Sequence, residues 1–476
     1  MRAPPATARL EPTAGVFAFA VLAGIALLGN GLKSIVSSSV LVSEARFAAL
    51  LGIATENVAM LLELIIAGMV VALAACPLLL QRLSARALAV GACVVATGAF
   101  ATFALVDLSG QSAAVRELAA FVCFSIGAGA LALLAPAAQS LVALAPTPPM
   151  RTTLTSLWTG AAPAGFLVAP QMVKILLPVV GMGFYFLGFS ALPVVLLALL
   201  GALGMALPAV RSVRTTGTAL PARMLLAFVA AVVAFEIWTT AGSMAGYAMP
   251  MTLVGLAIFA MSATWLSCEV QAYSMPPALT GTAGRLLLAL FMLEMPTTGF
   301  FDTAWLVQRQ FTETFIADRS TLSAAAQIAG TFAAGMLVHR RPAADSALLL
   351  GFTGIAVAGL AAIAAYPWIA HPLYFLWTPA IGGFGVAGLT VLVCLAVLRD
   401  AATHPLLAAL PSIAIMLGTE FGLELLQLVF AVARAAGVGD DGAYGAIFFA
   451  QVALAVAAVG LLGLAIRRGR GGGVPP

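Results

Sequence analysis

The stretch Cys76–Arg86, CPLLLQRLSAR, closes one apolar run and opens the next, and Gly335–Arg341, GMLVHRR, does the same far downstream. In both, a segment long enough to cross a bilayer ends in a compact basic turn, and another apolar segment follows at once. Setting Cys76 on Gly335 puts Arg82 on Arg341 at an offset of 259 residues. A second echo, SIGAGALAL from Ser125 and AIGGFGVAG from Ala380, falls 255 residues apart. Two landmarks at nearly one spacing argue that the chain is built by internal duplication.

Of the 476 residues 62% are hydrophobic and only 8% charged, with a mean hydropathy of +1.10. No soluble core needs so much apolar surface, so the composition implies an integral membrane protein. Apolar stretches of about 20 residues recur and period-two alternation is absent, which makes the spans helices rather than barrel strands. The net charge of +4 is not gathered into a basic stripe of the kind that binds nucleic acid. Cys76, Cys93, Cys123, Cys268 and Cys394 sit within or at the edge of apolar runs, with no CxxC spacing, and read as packing residues. Arg2 and Arg9 precede an apolar run that continues past Val40, too long for a cleaved signal core, so it reads as an uncleaved first span.

Six apolar segments, 14–41, 57–80, 87–107, 116–145, 153–178 and 183–208, precede the longest polar connection, PAVRSVRTTGTALPAR from Pro208 to Arg223. Two more follow at 224–246 and 250–272, and then the Pro-containing linker SMPPALTGTAG from Ser274. The last six run over 285–307, 321–338, 345–366, 373–398, 405–433 and 444–466. The expected architecture is therefore all-α with 14 transmembrane helices. Its parts are a tail 1–13, a six-helix bundle 14–209, a linker carrying two inserted helices 210–280, a second six-helix bundle 281–467 and a tail 468–476. With the N-terminus inside, fifteen arginines fall on the inner face and six basic residues, among them Arg309, Arg319 and Arg434, on the outer one. That bias puts both termini in the cytoplasm.

This organisation resembles the major facilitator superfamily, and in particular its fourteen-span drug/proton antiporter branch, over nearly the full length. The superfamily's turn between spans two and three reads Gly-x-x-x-Asp-Arg-x-Gly-Arg-Arg. Here Cys76 stands for the first Gly, Gln81 for the Asp and Ser84 for the second Gly, while Arg82 and Arg86 keep the basic character. The resemblance implies that Arg82, Arg86 and Arg341 form a conformational latch at helix ends; setting topology is the other reading of the same arginines. WTGAAPAGFLVAP from Trp158 is similar to the antiporter signature of the fifth span, with Pro163 and Gly165 in place. The first span departs from the branch, offering GNGLKSIVSSSV where an acidic residue is usual.

Ionisable residues at bilayer depth cost about 2.5–3.5 kcal/mol each on insertion scales, so each is a candidate for function. Glu294 falls near the middle of its span and Asp302 lies eight residues on, close enough around a continuous helix to share a broad face. GTEFGLELLQ sets Glu420 and Glu424 one turn apart, and two carboxylates that close do not both ionise easily in low dielectric. Glu420, Glu424, Glu294, Asp302 and Glu63 are the proton-coupling candidates. Glu236 sits at the middle of the first inserted helix, which in the resembled family is peripheral to the path. Asn30, Lys33, Gln427, Trp158 and Trp305 are the substrate-binding candidates, Gln427 because it follows Glu420 by seven and Lys33 because it is a mid-span cation.

The function expected is a proton-coupled secondary active transporter exporting small amphipathic compounds or drugs by alternating access. A dedicated metabolite or siderophore transporter is the alternative, and a non-transporting membrane sensor the third reading. No nucleotide-binding GxxxxGK loop, nucleophile motif or metal-ligand spacing is present, so no enzyme, catalytic residue, metal or cofactor is expected, with protons as the coupling ion. The expected partners are a small-molecule substrate and the lipid bilayer, the expected state a monomer, and a periplasmic adaptor is left open. Two lysines against twenty arginines suggest a GC-rich genome and a bacterial inner membrane.

Overall fold

In a computed structural model of the chain the described residues are 12–41, 44–53, 55–206, 220–247, 249–273, 281–297, 300–340, 345–369, 371–401 and 405–471. Every regular element among them is helical. The N-terminal helices are α1 (Pro12–Leu41), a short α2 (Glu44–Leu51), α3 (Thr55–Arg82), α4 (Ala85–Leu108), α5 (Ala113–Val142), α6 (Pro148–Ile175) and α7 (Leu177–Ala206). A hairpin of α8 (Ala222–Ala245) and α9 (Pro250–Ala272) follows. The remainder is α10 (Thr282–Glu294), α11 (Phe300–Gln308), α12 (Glu313–Arg340), α13 (Asp345–Ala364), α14 (Pro372–Ala401), α15 (Pro405–Ala435) and α16 (Asp440–Gly471). Twelve of these, all but α2, α6, α10 and α11, are long and apolar enough to cross a membrane. The two other segments expected to span are α6, 28 residues long but carrying threonines, Ser156, Arg151 and Lys174, and Thr282–Gln308, which is split in two.

The duplication is visible in the helices themselves. α3 and α12 are both 28 residues long and begin 258 residues apart, and α5 and α14 are both 30 residues long and begin 259 apart. Packing repeats as well. A Cβ at Gly68 would collide with the Ser125 carbonyl where α3 crosses α5, and a Cβ at Gly330 would collide with the Phe384 carbonyl where α12 crosses α14. Phe384, not Ala380, therefore occupies the place of Ser125 in the second copy. A run in which every second or third residue is glycine aligns in several registers, and backbone contact picks one.

Three further expectations are corrected. No helix is expected between the apolar segments 14–41 and 57–80, yet Glu44 begins α2, which buries Phe47 edge-on against Phe186 of α7 at 6.1 Å. The segment placed at 321–338 starts at Glu313, so Arg319 belongs to a helix interior, 3% exposed, and not to an outer loop. Between Glu294 and Asp302 the helix is not continuous, because Met295–Thr297 forms a 3-10 turn. Pro296 has no N–H to give the preceding turn, and Gln451 of α16 donates to the carbonyl of Pro296 at 3.0 Å. The helical-wheel argument that put Glu294 and Asp302 on one face fails with the helix. Arg341, most of the polar connection around residues 207–219 and the tail residues 1–11 and 472–476 lie outside the described residues.

Buried side chains of α1–α7 form one core, centred on Phe100, Phe103, Phe124 and Phe186 with ring spacings of 4.6–6.0 Å. Ile413, Met416 and Leu417, from the first turns of α15, belong to that same core, as does Cys394 near the end of α14. Contact between the two copies is thus rich at the beginning of α15 and the end of α14.

Candidate functional site

α15 lies along the seam between the copies, and its sequence explains how closely it does so. A Cβ at Gly418 would meet the Phe291 carbonyl and one at Gly422 the Met295 carbonyl, so α15 rests directly on the interrupted α10. Phe421 continues this face, its ring 5.8 Å from Phe291. Glu420 lies between the two glycines and Glu424 one turn on, and Lys33 of α1, Glu63 of α3 and Glu236 of α8 are electrostatic neighbours of this pair. Glu424 is 1% exposed, Glu420 partly buried.

The acids form a connected electrostatic group. Lys33 of α1 acts on Glu420 and Glu294. Glu420 also feels Glu424 and Glu63, and Glu424 feels Glu63 of α3. Glu236 of α8 feels the charges of Glu424, Glu420 and Glu63. Glu294, 7% exposed, accepts the Thr390 hydroxyl of α14 at 3.0 Å. Neither oxygen of Glu424 has a hydrogen-bond donor, nor has Oε2 of Glu63 or Oε1 of Glu236. The Thr239 hydroxyl beside Glu424 gives its proton to the carbonyls of Phe235 and Glu236, at 3.0 and 3.1 Å. Gln427 follows on the same helix with a buried amide oxygen that accepts no hydrogen bond. Four of the five proton-coupling candidates, with Lys33, are therefore brought together.

Asp302 is held elsewhere. It pairs with Arg319 of α12, and both side chains are at least 96% buried. Arg319 also donates to the Phe375 carbonyl at 3.2 Å and to Thr303 Oγ1 at 3.3 Å. Trp305 packs over this pair with Tyr366 and Phe375, ring centroids 5.6 and 5.4 Å away, inside the second copy and away from the seam. Asp302 is a charge already matched, and Trp305 is part of the core that hides it.

Asn30 and Trp158 do meet, but through backbone. Asn30 Nδ2 donates to the Trp158 carbonyl at 2.7 Å, and Trp158 Nε1 donates to the Ala135 carbonyl at 3.1 Å. This chain of bonds fastens α1 to α6 and α6 to α5, with the polar groups of both side chains spent on helix packing.

The basic turn also has local partners. Ser84 caps α4, its Oγ accepting the Ala87 N–H at 3.1 Å, which is what a serine in the second glycine position supplies. Arg86 donates to the Leu200 carbonyl at 3.0 Å across Gly204 of α7, where a Cβ would strike the guanidinium. Arg82 is exposed at the end of α3. The Gln81 amide, oriented to satisfy both of its ends, accepts the Leu220 N–H at 2.9 Å and donates to the Leu220 carbonyl at 3.2 Å. The residue standing for the acid of the motif thus holds the start of the hairpin, a task that needs a donor as well as an acceptor.

Sequence reading missed Gln139, Arg319 and the reach of Glu236. Gln139 of α5 is 1% exposed and joins the copies, donating to Cys394 Sγ at 3.5 Å while its Oε1 accepts the Ser412 N–H at 2.9 Å. A glutamine in an otherwise apolar run was the available signal.

The human organic anion transporter MFSD10 (TETRAN) superposes with a TM-score of 0.64 at 16% identity, covering 93% of this chain and 99% of the other. The proton:xylose symporter XylE, described as a major facilitator superfamily protein, gives a TM-score of 0.56 at 14% identity, covering 94% and 96%. This is the major facilitator fold. A bacterial homologue of the iron transporter ferroportin in an outward-facing state agrees, with a TM-score of 0.60 at 13% identity over 93% and 98%. No family sequence model matches the chain, and no curated protein matches it in sequence. In repeat-built folds of this kind binding sites gather at the interface of the repeats, where Lys33, Glu420 and Glu424 stand.

Proposed function

We propose that the chain is a proton-coupled secondary active transporter that exports small amphipathic compounds across a bacterial inner membrane, both termini cytoplasmic. In this reading α6 and the interrupted α10–α11 also span, giving fourteen spans as two six-helix bundles and the α8–α9 hairpin. The observation that carries it is the seam group of five carboxylates, Glu63, Glu236, Glu294, Glu420 and Glu424, against the single ammonium of Lys33. At about 2.5–3.5 kcal/mol per buried charge, a group this rich in carboxylates is not sustained fully ionised at bilayer depth, so protons or a bound cation must offset it. A group neutralised by protons on one face and by solute on the other exchanges the two as the bundles rock.

The chemistry needs only the chain's own side chains. Protonated Glu420 and Glu424 let the seam close over an uncharged path. Loss of those protons restores negative charge that attracts the positive end of an amphipathic solute, while Phe421, Phe291 and Phe235 accept its apolar body. Lys33 is the cation that acts on the Glu420 end of the group. Lys33 in the place of the branch's first-span acid favours the second reading, a transporter dedicated to one metabolite with an anionic group. Uptake of tetraphenylphosphonium into proteoliposomes under an imposed pH gradient tests the proposal. Accumulation that collapses with the gradient supports it, and accumulation indifferent to the gradient refutes it.

A further inference from the structure

The hairpin α8–α9 is not equally peripheral along its length. α9 is largely exposed, only 11% of its apolar window buried, as expected of a helix facing lipid. α8 instead packs against both α3 and α15, one from each copy. Phe235 stacks flat on Phe421 of α15, with centroids 4.3 Å apart and planes 4° from parallel. Glu424 lies three residues after Phe421 and so on the same face of α15. The stack thereby fixes the level at which α8 meets the acids.

Glu236 follows Phe235 and is 4% exposed, so it is turned away from lipid, and its Oε1 has no hydrogen-bond partner. The charged groups that act on it are Glu63 from α3 and Glu420 and Glu424 from α15, all acidic. From the hairpin itself comes the phenol of Tyr247, beside Trp238 at 6.1 Å, which also faces Glu424 and Glu63 and whose oxygen is buried without a hydrogen-bond partner. Glu269 of α9 is bound at the exposed end by Trp265 Nε1 at 3.1 Å. Among the described residues the charged groups acting on Glu236 are all acidic, and Lys33 is engaged with Glu420 and Glu294. An aromatic lock, a carboxyl hidden from lipid and an unpartnered Glu424 on the facing helix together define a place for a mobile proton.

We propose that Glu236 is a proton-carrying residue of the transport path, making the inserted hairpin part of the coupling machinery. In the step, the O–H bond of Glu236 breaks and its proton passes to the Glu424 carboxylate, leaving Glu236 ionised and the pair's total charge unchanged. Glu63 on α3 restores the proton to Glu236 in the same balanced manner. α8 touches both copies, so the hairpin holds the donor in reach of each side as the seam opens. This inference rests on the proton-coupling reading above and deepens it.

The test is infrared titration of the full chain in lipid from about pH 5 to about pH 9, following the carbonyl stretch of protonated carboxyl groups, with the proton itself as probe. Wild type is compared with Glu236→Gln, Glu236→Asp and Glu424→Gln. The expected result is that Glu236→Gln removes one titrating carboxyl and displaces the Glu424 titration, while Glu236→Asp retains both features. A spectrum unchanged by Glu236→Gln, with Glu424→Gln altering it, overturns this inference and leaves the coupling reading standing. Spectra unchanged by both variants overturn the coupling reading itself. Equal disturbance by Glu236→Asp and Glu236→Gln shows a packing role and also overturns the inference.

Discussion

Gln139 of α5 accepts the backbone N–H of Ser412 on α15 at 2.9 Å, a bond between residues 273 positions apart that ties the first copy to the second. Its amide nitrogen reaches Cys394 of α14, so one side chain pins two helices of the opposite copy. A buried hydrogen bond of this kind is worth about 1 kcal/mol net, and leaving one partner bare costs about 1–3 kcal/mol. Rocking must break it. Gln139→Ala is expected to populate the arrangement open at this end, and maleimide labelling of Cys394, 0% exposed, in a chain with no other cysteine reads the change. Labelling about tenfold faster corresponds to a shift of about 1.4 kcal/mol.

Lys33 provides a second test. It acts on Glu420 and Glu294, the former from the opposite copy. Removing one member of a buried pair leaves a charge without its partner. Lys33→Met is expected to lower the thermal midpoint of the purified protein, and Lys33→Met with Glu420→Gln to recover most of the loss. A coupling energy of about 1–3 kcal/mol in the double-mutant cycle is the expected magnitude, and additive effects would show that the two do not interact.

Asp302 and Arg319 form a deeply enclosed pair, with side chains 3% and 4% exposed. Arg319→Met is expected to destabilise by about 3–5 kcal/mol, because Asp302 stays buried without its counter-ion. The double replacement Asp302→Leu with Arg319→Met is expected to regain most of that stability. Because the pair lies inside one copy, proton coupling in the double variant is expected to match wild type.

The outline of the fold was legible because hydropathy records which segments cross lipid and glycine-rich repeats record which helices touch. Most described helix ends fall within a few residues of the apolar segments read from the sequence. What was illegible depends on three-dimensional partners. Arg319 looked like a loop residue because a charge at the edge of an apolar run normally stays outside, and only Asp302 across a broken helix makes its burial affordable. Burial demands that Glu236 turn inward or take a proton, but the contact it turns toward is not local, since the stack of Phe235 on Phe421 joins segments 186 residues apart. The closeness of Glu420 and Glu424 was legible because their spacing is local.

Gln81 yields a prediction contrary to motif logic. Its amide both donates to and accepts from Leu220, whereas an aspartate only accepts. Gln81→Asp, which restores the residue usual at this place in the superfamily, is expected to destabilise by about 1–2 kcal/mol in thermal unfolding rather than to strengthen a latch.

Proton release on solute binding tests the account most directly. Purified protein in weakly buffered detergent is mixed with tetraphenylphosphonium and other amphipathic compounds, and the pH is followed for wild type, Glu420→Gln and Glu424→Gln. The account predicts release by wild type that is lost in at least one of the two variants. Tight binding with no release, or equal release from all three proteins, would contradict it.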